Sequence, residues 1–188
     1  MEAKKKMIPF KPKKASINFT RNPFLNTCKK ITKEDVDNNI TQHIKKHKLT
    51  IHGCKAVNKQ LPPEYHRPTQ DFDVWAKNPR HQMDITEDEL DALAGCDMFR
   101  EEVVPFQGQT DKFVYRVVGP RGEVVDYALP PPGAKTKKID NINYEHIQFA
   151  KKIYKKIIAD PNVDMQRKQK SARDLRRIEA YEKSLRGK

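Results

Sequence analysis

Residues 67–75, which read RPTQDFDVW, contain the feature that decides the fold: an acidic pair inside a short apolar run. Side chains two positions apart on an extended strand point to the same face of a sheet. Asp71 and Asp73 therefore project together, while Phe72 and Val74 face the core. Two adjacent carboxylates repel each other unless a cation lies between them. The stretch predicts a strand that carries a site for a divalent cation.

A third carboxylate lies in a later β-rich run, where Asp126 follows two valines and precedes a tyrosine. A charged side chain inside such a strand needs a partner. Placed beside the first pair, Asp126 would complete a set of hard oxygen ligands of the kind that Mg²⁺ prefers. A two-metal site of this type can activate an acceptor hydroxyl and stabilise a leaving pyrophosphate.

The order of these features resembles the nucleotidyltransferase superfamily. Gly53-Cys54 forms a glycine turn after a strand-like run, the acidic pair follows on a second strand, and Asp126 lies in a later one. The phrase at residues 67–73, RPTQDFD, is especially similar to small stand-alone and viral members, including the poly(A) polymerase-like proteins of large DNA viruses. The similarity covers residues 49–180.

The resemblance implies an α+β fold, with a nucleotidyltransferase-like mixed sheet and flanking helices. The domain would occupy residues 31–188 and include basic C-terminal helices, while residues 1–30 would form an extended basic arm. The arm mixes lysines with isolated apolar residues and shows no helical or strand period. It is either disordered alone or docks on a partner or on its own domain.

The resemblance also implies roles for individual residues. Asp71, Asp73 and Asp126 would hold two Mg²⁺ or Mn²⁺ ions, with Asp126 helping to activate the acceptor hydroxyl. The backbone amides of the Gly53 turn would approach the phosphates of an NTP. The residues implied in nucleotide binding are Gly53, Cys54, Arg67 and Thr69.

The net charge of +13 is spread unevenly along the 188 residues. Residues 1–48 carry a net +9, residues 49–134 carry −5, and residues 135–188 carry +9. Basic segments of this kind favour nucleic acid, nucleotide phosphates or an acidic protein surface, although a well-solvated helix face explains either segment equally well. The basic residues of the last helix that would contact nucleic acid or phosphate are Arg167, Lys170, Arg173 and Arg177.

Several residues near the acidic pair have two interpretations. Arg67 either contacts phosphate or pairs with the acidic cluster. Trp75 either stacks on a base or, as is commoner at a strand end, packs in the core. Cys54 is better explained as a small core residue than as a nucleophile, because no His-acid pair is evident for it.

The three cysteines, Cys28, Cys54 and Cys96, lie far apart in the sequence. They predict neither a disulfide framework nor a zinc ribbon, and they favour a reducing, cytoplasmic compartment. A virion is the alternative location.

The spacing of His43 and His47 would place both on one helix face. No further ligand is evident nearby in the sequence, so both histidines are expected to be solvated. The longest apolar stretches span only a few residues, so neither a membrane span nor a secretory signal is expected.

Hydrophobic periodicity and turn residues predict the remaining elements. A capping pattern at Thr86–Glu89 predicts a helix start, and Pro130–Gly133 is expected to end the sheet. The predicted helices are 32–47, a turn at 55–61, a helix from 86 that Gly95 closes, 144–159 and 165–185. The predicted strands are 49–52, 72–75, 113–118 and 123–129, the last two forming a hairpin.

Three hypotheses for function follow. The first is metal-dependent transfer of a nucleoside monophosphate from an NTP to a hydroxyl acceptor. The second is a non-catalytic structural or assembly protein, for example a viral minor capsid or ribonucleoprotein component, which keeps the fold and binds partners through its basic arms. This second hypothesis is suggested by Gly53-Cys54, because the family usually has Gly-Gly or Gly-Ser at that point. The third is plain nucleic-acid binding.

Overall fold

The computed structural model describes residues 28–106 and 109–187. The predicted basic arm, residues 1–30, falls almost wholly on residues 1–27, which lie outside the described residues. Over the part that the structure describes, none of the helices is both long and apolar enough to cross a membrane.

A single mixed sheet of seven strands forms the centre of the fold, with strand order β3-β4-β5-β2-β1-β7-β6. The pairs β2–β5 and β1–β7 are parallel, and the other neighbours are antiparallel. The strands are β1 (Thr50–His52), β2 (Phe72–Trp75), β3 (Arg100–Phe106), β4 (Gln109–Gly119), β5 (Gly122–Ala128), β6 (Thr136–Ile139) and β7 (Ile142–Glu145).

Five α-helices flank the sheet. They are α1 (Lys33–Lys46), α2 (Gly53–Asn58), α3 (Pro79–Ala94), α4 (Ile147–Ala159) and α5 (Met165–Arg186). A short 3₁₀ turn, Pro63–Tyr65, lies between α2 and β2. The predicted α+β class with a mixed sheet and flanking helices is confirmed.

Local signals fix the ends of several elements. Thr32 caps α1 in a capping box with Asp35, as its sequence predicts. The predicted hairpin is present, because Gly119 and Gly122 pair across the turn between β4 and β5. Gly95 ends α3 in the left-handed conformation that a C-terminal glycine provides.

The predicted start of α3 at Thr86 is wrong. The helix begins at Pro79, a favoured first residue because its missing N–H would have no partner in the first turn. Thr86 is fully buried inside the helix, and its hydroxyl hydrogen-bonds the hydroxyl of Tyr127 at 2.7 Å.

The expectation that the sheet ends at Pro130–Gly133 is also wrong, because β6 and β7 follow. Asp140 and Asn141 both have positive φ, at 49° and 63°, and form the tight turn of that hairpin. The lysines of β6 conceal the strand in the sequence, and they suit an exposed sheet edge. The other edge strand, β3, was not predicted either; it contains Pro105.

Two apolar clusters cover different parts of the sheet. The larger lies against α1 and α3 and includes Ile40, Leu90, Val125 and Tyr127. The smaller joins α2, α4 and α5; it consists of Val57, Leu61, Ala150, Tyr154 and Ile178. Side chains alternate along each strand, so Asp73 and Trp75 of β2 lie on the face opposite Phe72 and Val74.

The prediction of unpaired cysteines is wrong for two of the three. Cys28 and Cys96 form a disulfide that links the segment before α1 to the residue just after α3, and Cys54 is free and buried. The two bonded cysteines are 68 positions apart, so their spacing gives no sequence signal. The compartment stays a prediction, because one disulfide is weak support for an oxidising one.

The prediction of solvated histidines in α1 is wrong for His43, which is 1% exposed. Its ring nitrogens lie 2.8 Å from Glu89 and 2.8 Å from Gln82, both on α3. His47 is half-buried, and its ring centroid lies 4.4 Å from that of His43. The carboxylate beside the two histidines is that of Glu89, which lies on α3 and is therefore distant from them in the sequence.

Candidate active site

Polar side chains form a row across four neighbouring strands on one face of the sheet. Asp73 on β2 is the register partner of Asp126 on β5 and of His52 on β1. Arg116 on β4 is the partner of Asp126. Register partners point to the same face, so two of the predicted acids lie side by side, with an arginine at one end of the row.

Asp126 is held by that arginine. Nε and one terminal nitrogen of Arg116 donate to the two carboxylate oxygens at 2.7 and 2.8 Å. The same guanidinium also pairs with Glu123. The hydrogen bonds that Arg116 donates to Asp126 raise the pKa of Arg116 further above its ordinary value. Arg116 therefore balances the negative charge of Asp126, a partner that could not be identified from the sequence.

Within residues 28–106 and 109–187, Asp73 has no such ion pair, and its pKa is strongly shifted. Burial, together with the nearby charges of Asp71 and Asp126, raises the pKa of Asp73 to about 7. Lys170 and Arg167 act in the opposite direction. A carboxyl group whose pKa is raised by burial and by neighbouring acids is common at functional sites.

Gly53 lies directly against Asp73. A Cβ at this position would be 2.4 Å from Oδ2 of Asp73, and the φ angle of Gly53 is +65°. Both observations require glycine at the turn between β1 and α2. The N–H of Gly53 donates to Glu145 at 3.1 Å, so this amide is already engaged within the chain.

Substitution of Gly53 by alanine is expected to cost about 1–2 kcal/mol for the left-handed backbone alone, and more for the clash with Asp73. Gly133→Ala is the matched control, since Gly133 has φ +71° but open space where its Cβ would lie. Chemical unfolding should show the larger loss for Gly53→Ala. Equal losses for the two variants would contradict the close approach of Gly53 to Asp73.

Glu145 is a fourth acid at this site, and sequence reasoning missed it. It ends β7, is 4% exposed, and its pKa is raised to about 7 by burial, with a further contribution from Asp73. The sequence prediction placed residues 144–159 in one helix, so the strand that ends at Glu145 was not recognised. The alternation of Ile142 and Tyr144 was the available signal.

Lys55 is a second residue that the sequence did not single out. It lies one turn into α2, and its Nζ is 4.0 Å from the centroid of the Phe72 ring. Burial lowers the pKa of Lys55, and the nearby Asp37 and Asp71 partly offset this. The residue adds a cation beside the acidic pair.

The predicted nucleotide-binding residues are divided between two environments. The hydroxyl of Thr69 is 3.2 Å from Oδ1 of Asp71, at the acidic site. Arg67 instead forms a bidentate pair with Asp174 of α5, at 2.7 and 3.1 Å. The sequence allowed Arg67 either to contact phosphate or to pair with the acidic cluster. The structure shows an ion pair, but its acid is Asp174 and not Asp71, Asp73 or Asp126.

Cys54 faces the interior between α2 and α5. Its Sγ is 3.9 Å from the carbonyl oxygen of Arg67 and 3.8 Å from a guanidinium nitrogen of Arg177. Burial raises the pKa of the thiol. The side chain is a small core residue, as the sequence favoured.

The basic residues of α5 also divide. Arg167 and Lys170 are close enough to Asp73 to lower its pKa. Arg173 is exposed. Arg177 instead donates to Asn58, to the carbonyl of Tyr65 and to Asp174, each at 2.8–2.9 Å. The N-terminal half of α5 thus faces the acidic site, and Arg177 ties the helix to the domain.

Trp75 is packed in the core. Its ring is stacked on His52 with centroids 4.8 Å apart and meets Phe149 of α4 edge-on at 6.0 Å. The residue is 7% exposed. Trp75 is therefore a packing residue, which is the commoner of the two interpretations of its sequence position. Burial lowers the pKa of its stacking partner His52 to about 3.

The donor chemistry of the site fits a hard divalent cation, since the acids offer carboxylate oxygens next to a hydroxyl. The fit is incomplete in geometry. Within the described residues, the groups of three donor atoms that lie within 4.8 Å of one another are His43, His47 and Glu89, and Glu87, Asp91 and Asp97. Asp71, Asp73 and Asp126 are not one of these groups.

Comparisons with known proteins agree with this fold. The structure is similar to that of the Megavirus polyadenylate synthase, with a TM-score of 0.65 and 22% sequence identity. The match covers 79% of this chain but only 31% of the viral one. The chain thus has a nucleotidyltransferase-like fold and spans about a third of the length of that relative.

A second solved structure, JHP933 from Helicobacter pylori, matches with 11% identity over 66% of this chain and 54% of that one. Its TM-score of 0.37 is too low for a structural inference. No family model and no curated protein matches the sequence.

Proposed function

We propose that this chain transfers a nucleoside monophosphate from an NTP to a hydroxyl acceptor, with Asp71, Asp73 and Asp126 as ligands for Mg²⁺ or Mn²⁺. The observation that carries the proposal is the parallel pairing of β2 with β5, in which Asp73 is the register partner of Asp126. The nucleotidyltransferase-like fold supports the same chemistry.

The bound cations would supply charge stabilisation for the phosphoryl oxygens and for the acceptor hydroxyl. The chain's own residues account for the other requirements. Asp73 gives up the proton that it holds near neutral pH and becomes a full carboxylate. Arg167 and Lys170, close to Asp73, can offset the negative charge of a triphosphate. Arg116 fixes the carboxylate plane of Asp126.

The Gly53 turn has a different role from the one implied by the resemblance. Its first amide donates to Glu145, so the turn is anchored to β7. The absence of a side chain leaves room for the carboxylate of Asp73. We assign Gly53 to the positioning of Asp73, and phosphate contact to the basic residues of α5.

The test is incorporation of each labelled NTP into an oligonucleotide with a free 3′ hydroxyl, in the presence of Mg²⁺, with release of pyrophosphate. Turnover should vanish in the double variant Asp71→Asn/Asp73→Asn. It should persist in Asp88→Asn, which removes the same charge from an exposed position on α3. Equal turnover by the double variant and the wild-type chain would exclude the proposal.

The second candidate, a non-catalytic assembly protein, is favoured by one specific observation. The two residues of the turn that would face phosphate are both engaged internally, Gly53 by Glu145 and Cys54 by its contacts in the interior. Isothermal titration with Mg²⁺ and each NTP separates the two. NTP binding without turnover for any acceptor supports the assembly role, and turnover excludes it.

A further inference from the structure

A cluster of nitrogen and oxygen donors joins α1 to α3 on the apolar face of the sheet. His43 lies in the last turn of α1, and His47, four residues on, is the C-cap of that helix and lies on the same side. Glu89 of α3 lies beside them. One donor atom from each of the three residues lies within 4.8 Å of the other two.

The surroundings of His43 fix how its ring can act as a ligand. Its side chain is fully buried, and Nε2 is 2.8 Å from the amide oxygen of Gln82. A ligating histidine commonly donates its other ring N–H to an oxygen of the protein, which sets the tautomer. With Nε2 as that donor, Nδ1 faces Oε2 of Glu89 at 2.8 Å, where either a proton or a cation must lie between them.

His47 supplies an independent observation. Its Nε2 is buried and has no hydrogen-bond partner among residues 28–106 and 109–187. A buried polar nitrogen without a partner is costly, so a ligand there would be favourable. The two imidazole rings are tilted by 33°, with their centroids 4.4 Å apart.

We propose that His43, His47 and Glu89 form a binding site for a transition-metal dication, with Zn²⁺ as the best-suited ion. Two imidazoles and one carboxylate are a donor set that Zn²⁺ accepts, with a fourth position left for water. The ion takes the place of the hydrogen bond between Nδ1 of His43 and Glu89. The only other partner of Glu89 found in the described chain is Lys46, at 3.0 Å. Lys46 is 65% exposed, so it can move into solvent.

The site is separate from the three aspartates. It lies between α1 and α3, beside the larger apolar cluster, while Asp73 and Asp126 lie on the polar face of the sheet. The bound ion would cross-link the two helices that cover the apolar face. Its expected effect is therefore on stability rather than on the proposed transfer reaction.

Isothermal titration of Zn²⁺ into the full chain, with excess Mg²⁺ present to occupy oxygen sites, tests the proposal. One Zn²⁺ per chain should bind, and His47→Ala and Glu89→Gln should each weaken binding at least tenfold. His43 is left unchanged because it is fully buried. Glu89→Gln retains an oxygen and adds an amide, so it keeps the shape of the contact while removing the charged ligand.

His146→Asn is the matched control, since it removes a histidine elsewhere and asparagine can still cap α4. Its affinity for Zn²⁺ should equal that of the wild-type chain. Thermal melts of each metal-free variant check that it is folded. Absence of Zn²⁺ binding by the wild-type chain, unchanged affinity in His47→Ala and Glu89→Gln, or equal weakening in His146→Asn would each overturn the proposal.

Discussion

Asp73→Asn is expected to abolish Mg²⁺-dependent NTP turnover and, at pH 8, to make the metal-free chain more stable. Removal of a carboxylate that binds the cation removes transition-state stabilisation, and we expect a loss of about 10²–10³-fold, as for other groups that stabilise transition-state charge. The gain in stability has a separate cause. The wild-type carboxyl must ionise in a buried position and beside Asp71 and Asp126, whereas asparagine carries no charge.

The stability effect depends on pH in a defined direction. The pKa of Asp73 is about 7 in the folded chain against an ordinary value of 3.8. Between these values the folded state binds more protons than the unfolded state, so the free energy of unfolding falls as pH rises from about 4 to about 7. Asp73→Asn removes this loss and should be more stable at pH 8 by about 2 kcal/mol, an advantage that disappears near pH 4.

Denaturant unfolding at pH 4 and pH 8 measures this difference, with EDTA present to remove metal. Asp88→Asn, on the exposed face of α3, should show little change at either pH. If Asp73→Asn were destabilising at pH 8, the carboxylate of Asp73 would have stabilising partners that the structure does not show. The proposed repulsion among the three aspartates would then be wrong.

Asp174→Ala is expected to cost about 3–5 kcal/mol in the free energy of unfolding. Asp174 is 3% exposed at its side chain and accepts hydrogen bonds from both Arg67 and Arg177. Removal of the acid leaves two partly buried guanidinium groups without their counter-ion. The network joins the segment before β2 to α5, so the segment that holds the acidic pair should also loosen.

Glu179→Ala on the same helix is the control for this substitution. Its ion pair with Lys155 is long, at 3.8 Å, and both side chains are about half exposed. An exposed pair of this kind contributes about 0–1 kcal/mol. Chemical unfolding of the two variants should separate them clearly, and similar losses would show that Asp174 is not the buried centre of a network.

The acidic strand could be predicted from sequence because its residues obey simple rules. The alternation of Asp71, Phe72, Asp73 and Val74 sets the strand, and β2 has the predicted bounds. The structure pairs β2 with β5, so Asp73 lies next to Asp126. In the sequence, only the resemblance suggested that these two segments meet. Periodicity within a strand carries no information on which strand lies beside it.

Other features could not be predicted because they depend on residues distant along the chain. Asp126 has its partner in Arg116 of the neighbouring strand, and Arg67 has its partner in Asp174, which is 107 positions away. His43 meets Glu89 only because α1 and α3 cover the same face of the sheet. Glu145 was hidden by a short strand that merges into the following helix in sequence.

Titration of Mn²⁺, followed by the electron paramagnetic resonance signal of the free ion, tests the central claim most directly. At pH 8 the wild-type chain should bind Mn²⁺, Asp73→Asn should bind it at least tenfold more weakly, and Asp88→Asn should match the wild type. Wild-type affinity should fall as the pH drops below about 7, because the proton on Asp73 competes with the metal. Equal Mn²⁺ affinity in the wild-type chain and Asp73→Asn would contradict the assignment of these aspartates as a cation site.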